Sequence, residues 1–196
     1  IGSQITDRGV FKTLCERVEV LQKWFLDRGV LVESLDLGGG LGVDYQDPMG
    51  NPIANFEEYF SIINKNLIVR PGQSVHFEPG RAIVAQCGSL ISRVLYVKKG
   101  KGIKFAILDA GMNDLIRPAL YHAHHKIENL TSTGRKMRYD VVGPVCESSD
   151  FWDKKVLLPE TSRGDIIAIR SAGAYGQVMG MRYNQRDLAK AYYSDD

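Results

Sequence analysis

The feature that most constrains this chain is a change of hydrophobic rhythm part-way along it. Up to about residue 82, helical and strand-like stretches alternate; beyond it, short apolar runs follow one another between Gly, Pro and Asp. In the first part Phe11, Leu14, Cys15, Val18, Leu21 and Phe25 recur at the spacing of one helical face, and Gly29 closes the helix they predict. The run SLDL follows and stops at Gly38. Asn55 is placed to cap a second helix carrying Phe56, Tyr59, Phe60, Ile63 and Leu67 on one side. A turn at Arg70-Pro71-Gly72 returns the chain to SVHF, which runs directly into Glu78-Pro79-Gly80-Arg81. Strand, loop, helix and strand in that order predict a parallel α/β arrangement.

The second part has a different grammar. IVAQCGSLISRVLYVKKG, IKFAILDAG, MRYDVVGPVC, KVLLP and DIIAIRSAG are β-rich, and short helical stretches interrupt them only near DLIRPALY and in the tail RDLAKAYY. Strands in series with turns between them predict a mostly antiparallel sandwich or barrel. The expected organisation is therefore α/β plus all-β, an α/β domain over residues 1–85 and a β domain over 86–196, with the change falling between 82 and 90. A length of 196 residues, 44% of them hydrophobic and 24% charged, suits one or two domains with a proper core.

Charge and cysteine usage exclude several function classes. With 25 Lys+Arg against 23 Asp+Glu the net charge is +2, too weak a field to point to nucleic acid or an anionic membrane. No apolar run approaches the roughly 20 residues of a membrane span, and the opening IGSQITDRG lacks the pattern of a signal peptide. Cys15, Cys87 and Cys146 are odd in number and widely spaced, which argues against zinc ribbons and disulfide frameworks and for a reducing cytoplasm.

Five polar motifs each admit a structural and a chemical reading. Leu37-Gly38-Gly39-Gly40-Leu41-Gly42 follows a strand, and consecutive glycines let a backbone turn its N–H groups towards an anion. GxGxxG fails at Val43 and the Lys-Ser/Thr of a Walker loop is absent, so the motif suits a tight turn as well as a phosphate cradle. Glu78-Pro79-Gly80-Arg81 is either a surface turn or a polar pair at the C-terminal ends of parallel strands, where α/β folds place ligands. Arg117 and Tyr121, four residues apart, share a face on one helical turn and suit a carboxylate, or else a solvated arginine over a core tyrosine. Tyr175, among the small residues of SAGAYG, sits on a plain bulge or in a loop that aims its hydroxyl at a ligand. Cys146 and Glu147, in GPVCESSD, suit a catalytic pair, half a metal site, or a buried thiol at a strand end. His122, His124 and His125 have no thiol or carboxylate following at ligand spacing, so no metal site is expected.

Taken in order, GGGLG, EPGR, DAGMNDLIRPALY, GPVCESSD and AGAYG resemble the pyridoxal-phosphate (PLP) decarboxylases built on an alanine-racemase-like barrel. DAGMNDLIRPALY and GPVCESSD resemble the diaminopimelate branch, whereas EPGR and the glycine loop are shared with ornithine and arginine decarboxylases. The resemblance implies that Ser3 with Gly38, Gly39 and Gly40 cradles the cofactor phosphate and that Glu78 pairs with the pyridine nitrogen. It implies that Gly80 and Arg81 join the cofactor site, and that Tyr175 contacts both the phosphate and the substrate. Arg81, Arg117 and Tyr121 are implied to hold substrate carboxylates. Cys146 is implied to be a proton donor and Glu147 the acid that grips the distal ammonium, both given across a homodimer interface to a shared active site.

The chemistry of these residue types agrees. Decarboxylation leaves an electron pair at Cα that needs a protonated pyridine ring as its sink, hence a carboxylate at the ring nitrogen. A substrate with two amino-acid ends needs arginines and an acid, and a thiol with an ordinary pKa near 8.5 can return the proton. The implied activity is decarboxylation of meso-2,6-diaminopimelate to L-lysine. In this family the Schiff-base lysine lies upstream of the segment in which this chain opens at Ile1. A complete barrel needs roughly 250 residues, so the chain is expected to hold the last βα units of a TIM-type barrel plus a β domain, and to be inactive alone. The competing expectations are an ornithine, arginine or carboxynorspermidine decarboxylase, against which the Glu after Cys146 argues, and a non-catalytic dimerisation module.

Overall fold

Residues Gly9–Leu26 form helix α1, Ser34–Asp36 strand β1, Phe56–Asn66 helix α2, Ser74–His76 strand β2 and Gly80–Val84 the short helix α3. The computed structural model describes residues 2–194. Of these, the residues up to Asp44 with Asn51–Ile83 form one compact unit, and Tyr45–Gly50 with those from Val84 onward form the other.

In the first unit the crossover through α2 makes β1 and β2 parallel, with Leu35 opposite Val75. The Asn55 side chain accepts the Glu58 N–H at 3.0 Å and caps α2, which buries Tyr59 and Ile63. Gly29, at φ +74°, ends α1 as expected, its N–H reaching the Leu26 carbonyl. The inward face of α1 differs from the expected one in its second half. Phe11 and Cys15 are buried, but Leu21 and Phe25 are exposed and Gln22 is inside. Gln22 donates to the Ile68 carbonyl at 3.0 Å and accepts from Gln73 at 2.8 Å, so a polar brace replaces the apolar stripe there.

The second unit is one six-stranded mixed sheet. Its strands are β3 (Leu90–Lys99), β4 (Lys104–Leu108), β5 (Ile127–Asn129), β6 (Lys136–Val142), β7 (Phe151–Pro159) and β8 (Ile166–Ile169), ordered β5-β8-β3-β4-β6-β7. Its edge strands β5 and β7 approach each other, so the sheet is nearly closed. One pair departs from the antiparallel expectation: β4 and β6 run parallel, because helix α4 (Arg117–Tyr121) and β5 carry the chain back between them. Val94, Leu108, Tyr139, Val141, Trp152 and Ile167 are among the side chains that fill the core.

Two local expectations fail. The stretch before β3 is helical, α3 continuing into a 3-10 turn at Ala85–Cys87. The tail RDLAKAYY forms no helix: Asn184 at φ +57° precedes it, its first residue Arg186 is extended, and an isolated stretch of this length cannot repay helix nucleation. Among the described residues no helix is long and apolar enough to cross a membrane.

Candidate functional site

Within the first unit the parallel strands gather Ser3, Gly38–Gly40, Glu78, Gly80 and Arg81 at their C-terminal ends. Leu37 N–H bonds to the His76 carbonyl and Glu78 N–H to the Gly38 carbonyl, which extends the β1–β2 pairing into the glycine loop. On the other side Ile5 donates to Gly40 and Gly42 donates back to Ile5, so the opening segment lies beside the loop. Arg81 Nη2 donates to Ser3 Oγ at 2.9 Å and ties the EPGR turn to that segment.

Gly39 and Gly40 of the loop are demanded by close approach. A Cβ on Gly39 would overlap the Glu78 carbonyl oxygen, and one on Gly40, at φ +92°, would meet the Gly2 carbonyl oxygen at 2.8 Å. The Gly38 N–H is taken by Asp36 Oδ1 at 2.8 Å, whereas those of Gly39 and Gly40 meet no acceptor among the described residues. Two available backbone donors beside a hydroxyl, in a loop without side chains, form a cradle that fits a phosphate. The Glu78 carboxylate is exposed, with no hydrogen-bond or ion-pair partner among the described residues, and suits a ring N–H. These residues fit PLP.

The second unit holds the other predicted residues. Residues 143–150 wrap around one buried carboxylate: Asp150 accepts the Val145 N–H at 2.6 Å and the Met112 N–H at 2.7 Å. Its backbone also accepts Gly143 N–H, and a Cβ on Gly143 would fall onto its carboxylate. Burial pushes the Asp150 carboxyl above its ordinary pKa, against the opposing pull of the two N–H donors. The loop turns Cys146 and Glu147 outward, where both are exposed. Cys146 is thus not the buried thiol; that description fits Cys15, whose pKa burial raises.

Asp150 is a residue that sequence reading missed, although it ends the quoted motif. The signal lay in Gly143 and in Asp109–Asp114, whose backbone the same carboxylate anchors at Met112. Asn113, fully buried, donates to the Met181 and Tyr183 carbonyls and braces that loop further.

Arg117 and Tyr121 lie on one short helix but do not share an environment. Arg117 is 6% exposed and Tyr121 60%. The Arg117 guanidinium lies over the Tyr45 ring at 4.8 Å and beside His125 at 2.8 Å. The three histidines disperse: His122 caps α4 at φ +52°, His124 faces Asp153 at 3.2 Å and His125 faces Arg117. Among the described residues no group of three or more His, Cys, Asp or Glu is placed to hold a metal. Tyr175 is partly exposed and sits at φ +62°, a backbone region costly for a side chain of this size. Its loop is held tight because a Cβ on Gly173 would overlap the Val84 carbonyl.

Residues 8–173 match the family described as pyridoxal-dependent decarboxylase, C-terminal sheet domain. A diaminopimelate decarboxylase of Bacteroides thetaiotaomicron is 57% identical over 196 residues, covering 100% of this chain and 51% of the relative. One of Zymomonas mobilis is 42% identical over 190 residues, 96% of this chain and 44% of the relative. The crystal structure of diaminopimelate decarboxylase from Helicobacter pylori complexed with L-lysine is similar at TM-score 0.85 and 41% identity, covering 96% of this chain and 46% of that one. The chain spans about half the length of the curated relatives it matches.

Proposed function

This chain belongs to the pyridoxal-dependent decarboxylase family, and on that premise we propose that it supplies the C-terminal half of an enzyme converting meso-2,6-diaminopimelate to L-lysine. The observation that carries the substrate is 57% identity, along the whole chain, to a protein named for that reaction. PLP, when bound, supplies a protonated ring that takes up the electron pair released at Cα as carbon dioxide leaves.

The chain's own residues divide the remaining work. The Ser3 hydroxyl and the backbone of Gly38, Gly39 and Gly40 hold the cofactor phosphate, with Tyr175 as a further contact; the N–H groups of Gly39 and Gly40 support this. Glu78 holds the proton on the ring nitrogen, and Gly80 and Arg81 complete that end. Arg81, Arg117, Tyr121 and Tyr175 orient the substrate, and Glu147 takes its distal ammonium. Cys146 returns a proton to Cα, a role that its exposure supports. Cys146 and Glu147 serve the neighbouring subunit of a homodimer. On the same reading the first unit is the end of a TIM-type barrel and the second the β domain that follows it. The enzyme works in the cytoplasm, where thiols such as those of Cys15 and Cys146 stay reduced.

The test joins this chain to the N-terminal half of the Bacteroides thetaiotaomicron relative. Carbon dioxide release is then followed from carboxyl-labelled diaminopimelate, ornithine, arginine and carboxynorspermidine. Release from diaminopimelate alone is expected. Cys146→Ala lowers it about a hundredfold or more without moving the melting temperature. Preferential release from another substrate overturns the assignment.

A further inference from the structure

Arg117 is a buried cation, so the groups around it decide which way its guanidinium faces. Tyr45 covers one face of the guanidinium. At the edge, Nη1 lies 2.8 Å from His125 Nε2, and the other ring nitrogen of His125, Nδ1, lies 2.8 Å from the Arg170 carbonyl oxygen. The proton positions follow from this pair of contacts. A guanidinium only donates, so Nε2 carries a lone pair; a carbonyl oxygen only accepts, so Nδ1 carries the proton. His125 is therefore the neutral Nδ1–H tautomer, and it transmits a fixed direction from the backbone after β8 to Arg117.

The frame behind it is tied in the same way. Tyr45 packs edge-on against His125, with centroids 5.0 Å apart. Arg170 donates to Glu128 at 2.6 Å, Glu128 also faces Lys126, and Lys126 reaches Asp47 at 3.0 Å. The Asp47 carboxylate holds the Lys126 ammonium above its ordinary pKa.

We propose that His125 is a positioning residue for substrate recognition: as a neutral acceptor it fixes the plane of the Arg117 guanidinium, and so the direction from which a substrate carboxylate is gripped. The proposal rests on the assignment of Arg117 to a substrate carboxylate. A planar fork matches a planar carboxylate only over a narrow range of angles. A loosened guanidinium therefore costs affinity before it costs the rate of the bound complex.

Nitrogen-15 NMR of the purified chain at near-neutral pH reads the ring itself. A protonated Nδ1 and an unprotonated Nε2 are expected for His125. Rotation about the Arg117 Cζ–Nη bonds is slow in the wild type, fast in His125→Leu and slow again in His125→Gln, whose side-chain oxygen replaces the acceptor. In the joined enzyme His125→Leu raises KM for diaminopimelate about tenfold with kcat changed less than about threefold, and His125→Gln restores most of the loss.

The opposite tautomer, an imidazolium, or equal Arg117 rotation in wild type and His125→Leu overturns the positioning role. Freed rotation with unchanged KM overturns its service to the substrate. If the wild-type joined enzyme releases nothing from diaminopimelate, the functional reading falls and the NMR result alone judges the positioning role. The wild-type tautomer needs no variant, so refutation stays open even if His125→Leu does not fold.

Discussion

The glycine loop at 38–40 and the loop at 143–150 are both short, polar and set after strands, yet their backbones send donors in opposite directions. In the first, Gly39 and Gly40 leave their N–H groups available and have no side chains to offer. In the second, Val145 spends its N–H inward on Asp150, as does Met112 from the neighbouring loop, and the side chains of Cys146 and Glu147 stand outward. One loop presents backbone and the other presents side chains. The difference teaches what each tolerates: the first has no room for a side chain at Gly39 or Gly40, and the second cannot lose the carboxylate inside it.

The largest effect is expected where the first loop is tightest. Gly39→Ala forces a methyl onto the Glu78 carbonyl, and urea unfolding should show a loss of about 3 kcal/mol or more. A smaller loss would mean that the loop yields. Asp150→Ala follows, at about 2–3 kcal/mol, because two N–H groups lose their acceptor inside the fold. If hydrogen exchange at Met112 and Val145 stays slow in that variant, the loop does not depend on its anchor.

A smaller effect comes from pH. The Asp150 carboxyl titrates above its ordinary value in the folded chain, so the folded state holds this proton more tightly than the unfolded one. Its contribution to stability therefore falls as pH rises from the ordinary carboxylate pKa through the raised one, and is level above it. Urea midpoints of the wild type and Asp150→Asn, compared across that window, should converge or cross in that sense; a difference that grows in favour of the wild type would reverse the assignment. Smallest of all is Gly80→Ala, in the EPGR turn. No atom lies within 4 Å of its added Cβ, and stability should hold within about 0.5 kcal/mol.

How far these features were legible depends on the reach of the interaction behind them. The Asn55 cap and the Gly29 stop are local, and each could be read from a few neighbours. The motif residues near β1 and β2 were legible as a set because parallel strands bring their C-terminal ends together. Gln22 was not: its inward position depends on Gln73 and on the Ile68 carbonyl, far along the chain. Asp150 and His125 were hidden for the same reason, since their partners at Met112 and Arg170 belong to other strands and loops. Arg117 and Tyr121 lie on one helical turn, as their spacing predicts, but the burial of the first and the exposure of the second are set by the surroundings of that turn, which spacing does not encode.

The placement of Tyr45–Gly50 within the second unit has a consequence in time. A ribosome delivers Asp47 79 residues before its partner Lys126, and Tyr45 long before Arg117 and His125. At ordinary elongation rates that delay is on the order of ten seconds. Throughout it the hexapeptide must wait for these partners, although Gln86, which donates to the Pro48 carbonyl, arrives after only 38 residues.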